Sequence, residues 1–196
     1  MLLKLIHCSV PRHLRQAFSK AQGSWRMVSQ SPGFLGQAGG WENGSPSSAL
    51  IAAFWRDAAS YHRFMRELHD KIIRQSGQGE TYEALDVTLL APVCRKAEAC
   101  RSFLRKLNRA ILLRVEEWPG PTSGAGAQNT VPPEDGSMLF KPQGNSRRLL
   151  KIGLLDHSSG DTPAMRQKEG PGSRAAILRH VVLEPAWLVL PSPLER

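Results

Sequence analysis

Apolar positions along the first 92 residues switch between two periods. LLKLIHCSV (2–10) is an apolar, partly alternating run that stops at Pro11, the pattern of a strand. In residues 12–30, Leu14, Phe18, Ala21, Trp25 and Val28 recur at steps of four, three, four and three. That spacing puts them on one helical face, with Arg12, Arg15, Lys20 and Arg26 off it. Gly23 costs such a helix about 1 kcal/mol relative to alanine, but the stripe continues through it.

SPG (31–33) breaks the helix, and FLGQAGGWE (34–42) predicts a second strand that turns through Asn43-Gly44 and a Pro46-containing loop into ALIAAFW (49–55). The glycines here permit bulges or the close approach of another backbone; a phosphate cradle would need a GK[ST] end and a helix start, and neither is present. Asp57 is placed to cap a second helix carrying Tyr61, Met65, Leu68 and Ile72 at helical spacing, with Gly77 as its stop. TYEALDVTLLAP (81–92) closes the unit as a strand with Leu85, Val87 and Leu89 on one side. The order β-α-β-β-α-β is that of a ferredoxin-like α+β domain. Two helices cover one face of a four-stranded antiparallel sheet, and the run 49–55 is apolar on both faces, so a second sheet must pair with the first, from this chain or another copy.

Residues 93–196 read as a degenerate second half. In 95–109 a short helix carries Ala99, Phe103 and Leu107 as its apolar stripe. ILLRVEEW (111–118) and the runs within 137–142, 147–157 and 177–190 predict four strands. The segment 119–136 has no apolar periodicity and is expected to be a flexible loop. The expected domains are therefore 1–92 and 93–196.

Composition narrows the function classes. The net charge is +9, divided as +3 on residues 1–92 and +6 on 93–196. The densest basic cluster, 95–109, is also the polar side of the predicted helix, so a solvated face is favoured over a nucleic-acid partner. Cys8, Cys94 and Cys100 form neither a disulfide framework nor a zinc knuckle, His62 and His69 are two helical turns apart, and no metal site is expected. With no apolar run long enough for a membrane span and no secretory leader, the expected location is cytoplasmic, without a membrane partner.

The motifs PGFLGQ (32–37) with GGW (39–41), then FW.D..SY..FM...HD.I (54–72), then TYE.L.VTL (81–89) resemble the YdbC-type family of largely uncharacterised bacterial proteins. Members of that family belong to the dimeric α+β barrel superfamily, with the antibiotic biosynthesis monooxygenases and haem-degrading monooxygenases. The resemblance covers residues 1 to about 92, and LEPAWLVLP (183–191) is similar to the close of a second barrel half in the same chain. It implies two sheets facing each other and a small aromatic or tetrapyrrole ligand between sheet and helix, and it transfers no activity.

His69 is the candidate catalytic residue, as a proton donor, a haem ligand or an orienting hydrogen bond at the margin of the helical stripe. Trp41, Trp55 and Tyr61 are candidate walls of an aromatic ligand cavity, and Gln37 and Asn43 are amides that could steady an anionic intermediate. Packing roles compete with each of these. Cys8 reads as a buried thiol, since His7 points to the other face of the strand. The expected function is a cofactor-independent small-molecule monooxygenase acting on an aromatic ligand. The alternative is a non-catalytic ligand-binding or assembly protein, with self-association or intramolecular pairing of the sheets.

Overall fold

The computed structural model describes residues 1–119, 135–144, 148–156 and 177–192. Most of the loop expected at 119–136, from 120 to 134, lies outside the described residues. The first half runs β1 (Leu2–Ser9), α1 (Arg15–Gln22) continued by a 3-10 segment (Gly23–Gln30), β2 (Phe34–Glu42), β3 (Ser48–Trp55), α2 (Ala58–Phe64), a π-helical turn (Met65–His69), α3 (Asp70–Ser76) and β4 (Ala84–Pro92). The second half contributes α4 (Ala97–Arg105), β5 (Leu112–Pro119), β6 (Met138–Pro142), β7 (Arg148–Leu155) and β8 (Ile177–Leu183).

Local chemistry accounts for most boundaries. The Asp57 carboxylate accepts from the Ser60 amide at 2.7 Å and satisfies an orphan donor of α2. Gly77 closes α3 in the left-handed region, at φ 64°. Phe18, Ala21, Trp25 and Val28 are all buried, so the apolar stripe persists although the winding tightens from α to 3-10 at Gly23.

All strand pairs are antiparallel, and the ladder runs β1-β3-β2-β8-β5-β7-β6-β4 before returning to β1 as a closed barrel. The edges of the first four strands are thus taken up within the chain, by β8 on β2 and β6 on β4. One face of every strand points inward. Leu3, Leu5, Leu50, Ala52, Phe54 and Leu90 from the first half meet Leu113, Val115, Phe140, Leu150 and Ile152 from the second. Phe103 and Leu107, from α4 and the turn after it, join this core, with the Phe103 ring 5.6 Å from Phe54. The expected stripe on 95–109 is therefore a core contact. On its polar side Arg101 and Arg105 bond Glu98 at 3.0 and 2.9 Å, in solvent.

Gly40 shows why one glycine of the 31–55 stretch is needed. A Cβ there would lie 1.8 Å from the Val182 carbonyl oxygen, so β8 pairs with β2 only across a residue without a side chain.

Candidate functional site

The site lies on the outer face of the first half, where α1, the 3-10 segment, α2 and α3 pack on β1–β4. Register sets its floor in rows. Trp41, Ala49, Cys8 and Leu85 form one row; Gly39, Ile51, Ile6 and Val87 the next; Gln37, Ala53, Lys4 and Leu89 the third. Alanine in the middle of the third row leaves room above the sheet, with a polar side chain on either flank.

A cavity of about 60 Å3 occupies that room. Its walls include Trp25, Phe34, Trp55 and Phe64, its floor includes Lys4, Gln37, Ile51 and Ala53, and its rim includes Leu85 and Val87. The roof is held by a chain of amides: the Trp25 indole N–H donates to the Gln78 carbonyl oxygen, and the Gln78 amide donates to Gln22 at 2.6 Å. Leu85 and Val87 are 48% and 40% exposed, so the cavity opens along β4, which the helices leave partly uncovered.

The structure distributes the sequence candidates unevenly. His69, Trp55 and Gln37 line the cavity. His69 sits in the π-helical turn, its Nδ1 2.8 Å from the Asp70 carboxylate, its ring centred 5.7 Å from Trp25 and 5.8 Å from Phe64. That hydrogen bond assigns the proton to Nδ1 and directs Nε2 away from Asp70. Asp70 is held below the ordinary carboxylate range by the same bond. Tyr61 is buried one layer back, 6.0 Å from Trp55, and its ring lies under the Lys4 ammonium at 5.6 Å.

Trp41 and Asn43 stand elsewhere. Trp41 packs in a separate cluster with Phe18 and Trp187, under the Arg15 guanidinium. The C-terminal segment brings Trp187 onto the sheet at Gly39, where a Cβ would lie 3.1 Å from its ring, and so fills the space beside Trp41. Asn43 is exposed in the β2–β3 turn, its backbone N–H bonded to His180.

Lys4, Gln22, Trp25 and Gln78 were not singled out from sequence. Lys4 carried a signal: it is the one charged residue among Leu2, Ile6 and Cys8, which share its face of β1. Burial lowers its pKa from 10.5 to about 8. Burial pushes the Cys8 thiol up to about 12, so it is not a thiolate nucleophile at neutral pH.

The inward face carries a second polar group at one barrel mouth. Ser48 donates to Glu42 at 2.6 Å, the His7 ring meets Ser48 at 2.8 Å, and Arg179 donates to Glu42 at 3.2 Å, which ties β8 to β2. Burial lowers the His7 pKa, and the Arg179 charge adds to this while Glu42 and Asp86 oppose it.

Comparison with known proteins places this geometry. A model for a family described as a domain of unknown function, DUF4937, matches residues 2–90. The uncharacterized protein YdbC of Bacillus subtilis (strain 168) is 35% identical over 91 residues, which cover 45% of this chain and 76% of that protein. Among solved structures, a candidate monooxygenase from Lactobacillus acidophilus NCFM superposes with a TM-score of 0.63 at 10% identity, over 96% of this chain and 95% of that one. An anthrone oxidase-like protein superposes with a TM-score of 0.55 at 8% identity, over 93% and 91%. At such identities the superpositions establish a shared mixed α+β fold with an antiparallel sheet and few helices, and no activity. The sequence match over the strands and helices that build the cavity establishes the family: this chain belongs to that of Bacillus subtilis YdbC.

Proposed function

We propose that this protein is a small-molecule monooxygenase of the cofactor-independent kind, built as an α+β barrel from two ferredoxin-like halves, the second degenerate. Its ligand is an apolar or aromatic molecule held between the helices and the outer face of β1–β4. The observation that carries this reading is the convergence of Trp25, Phe34, Trp55 and Phe64 with the His69 imidazole on one cavity. Aromatic walls exclude water and orient a flat ring, while a histidine whose Nδ1 is fixed by a carboxylate can exchange a proton through Nε2. In this role His69 is the proton-transfer residue, Trp55 is a wall and Gln37 orients a polar group of the ligand. The kinship of fold with a candidate monooxygenase and an anthrone oxidase-like protein supports the reaction class.

The test is oxygen consumption with a panel of hydroxylated aromatics as reducing substrates, in the wild type and His69→Phe. Uptake with at least one substrate that His69→Phe suppresses by about 100-fold is expected. No uptake with any substrate would leave the alternative, a binding protein without catalysis. At about 60 Å3 the enclosed part of the cavity is well short of the roughly 150 Å3 that holds benzene, so an aromatic ligand extends past the open rim at Leu85 and Val87.

A further inference from the structure

Two polar side chains in the cavity floor carry N–H donors that no protein group among the described residues accepts. Lys4 is only 6% exposed, and among the described residues its ammonium makes no hydrogen bond or ion pair, with the Tyr61 ring face as its cationic contact. Gln37 is 4% exposed and uses one amide N–H on the Trp187 carbonyl, at 3.4 Å, leaving its second N–H without an acceptor among the described residues. Both line the cavity, and the β2–β3–β1 register places them on either side of Ala53. A buried charge without a counter-charge is costly, and a ligand that brings the opposite charge offsets that cost on arrival.

From this arrangement we infer that the cavity takes its ligand as an apolar monocarboxylate, with the carboxylate over the Ala53 methyl between the Lys4 ammonium and the Gln37 amide. The inference rests on the cavity being a ligand site, as proposed above. One cation matches one negative charge. The cavity holds the carboxylate and its nearest carbons, and the apolar body runs past Ile6 and Val87 to the exposed rim at Leu85. A carboxylate is preferred over a phenolate because it stays ionised across the neutral range in which the lysine carries its charge, whereas an ordinary phenol near pKa 10 is mostly neutral there.

Benzoate and its uncharged isostere benzamide test this by quenching of tryptophan fluorescence, since Trp25 and Trp55 line the cavity. Wild type should bind benzoate about tenfold or more tightly than benzamide. Lys4→Met should abolish that preference while still binding benzamide, which shows the cavity to be intact. The wild type supplies a readout independent of the variant: the preference should fall between pH 6.5 and pH 9 as the amine loses its proton. The other ionisable groups around Lys4 are Cys8 on the same strand, Tyr61 from α2, and His69 and Tyr82 on the cavity wall. Equal binding of the two probes by wild type, or a benzoate preference that survives Lys4→Met, overturns the carboxylate inference and leaves the cavity reading standing. Binding of neither probe overturns both.

Discussion

Replacing Lys4 by methionine should make the protein more stable. The two side chains have similar length, so the variant keeps the packing and removes the charge. A fall in pKa from 10.5 to about 8 on burial corresponds to about 3 kcal/mol of destabilisation at neutral pH, at about 1.4 kcal/mol per pKa unit. The cation–π contact with Tyr61 returns about 1 kcal/mol. The net gain from Lys4→Met is therefore about 2 kcal/mol at pH 7, or roughly 4 to 8 °C in Tm for a chain of this size. The sign with pH follows from the depressed value. The charged lysine penalises the folded state fully below pH 8, and the penalty is relieved as pH rises through 8 toward 10.5. The advantage of the variant should shrink by about 1 kcal/mol between pH 7 and pH 9. Cys8 acts in the opposite direction. Its folded value is raised from 9.0 to about 12, so the stability tied to it is lost as pH climbs above 9, in both proteins alike. The difference between wild type and variant, measured by urea unfolding at pH 7 and pH 9, isolates the lysine. A variant no more stable than wild type at pH 7, or a difference that stays flat across that interval, would refute the claim that this ammonium is buried without a partner.

Two further expectations concern the frame. Gly40→Ala would place a methyl group against the Val182 carbonyl and force β8 off β2, costing about 3 kcal/mol in urea unfolding, while Gly79→Ala, with nothing within 4 Å of the added carbon, should leave the midpoint within about 0.5 kcal/mol of wild type. Asp57→Ala removes the α2 cap and should cost about 1 kcal/mol at neutral pH. Because the Ser60 amide and hydroxyl hold Asp57 below its ordinary pKa, its contribution is present above the usual carboxylate value and is lost as pH falls through the lowered one. The gap between Asp57→Ala and wild type should therefore narrow as pH falls below the usual carboxylate value, as read by thermal unfolding at pH 7 and pH 3.

Much of the frame was legible because it is local. The apolar runs at 2–10 and 49–55, the turn signal after 34–42, the helical stripe from Phe18 to Val28, the Asp57 cap and the Gly77 stop each depend on neighbours within a turn or two, which residue pattern and backbone sterics report directly. The demand for a layer over the second face of the sheet was also in the sequence, as an all-apolar strand, and all eight residues of β3 are buried. Which strands would supply that layer was not. β2 meets β8 across some 140 residues, and no local signal specifies a pairing at that separation; the contact is selected by the space above Gly40 and by the Glu42–Arg179 ion pair.

The same division runs through the site. Trp41 and Trp55 have equal standing in the sequence, as aromatics near strand ends on one face of the sheet. Tertiary structure separated them, because Trp187 occupies the space beside Trp41 and none of the described residues fills the space over Ala53. Lys4 is the converse case. Alternation alone assigned it to the face shared by Leu2, Ile6 and Cys8, but whether a carboxylate would meet it there depended on which helices cross that face. They bring aromatic rings and amides, and the charge is left facing a cavity. Periodicity decides which side of a strand a residue takes; what waits on that side is decided by packing, through contacts between segments far apart in the chain.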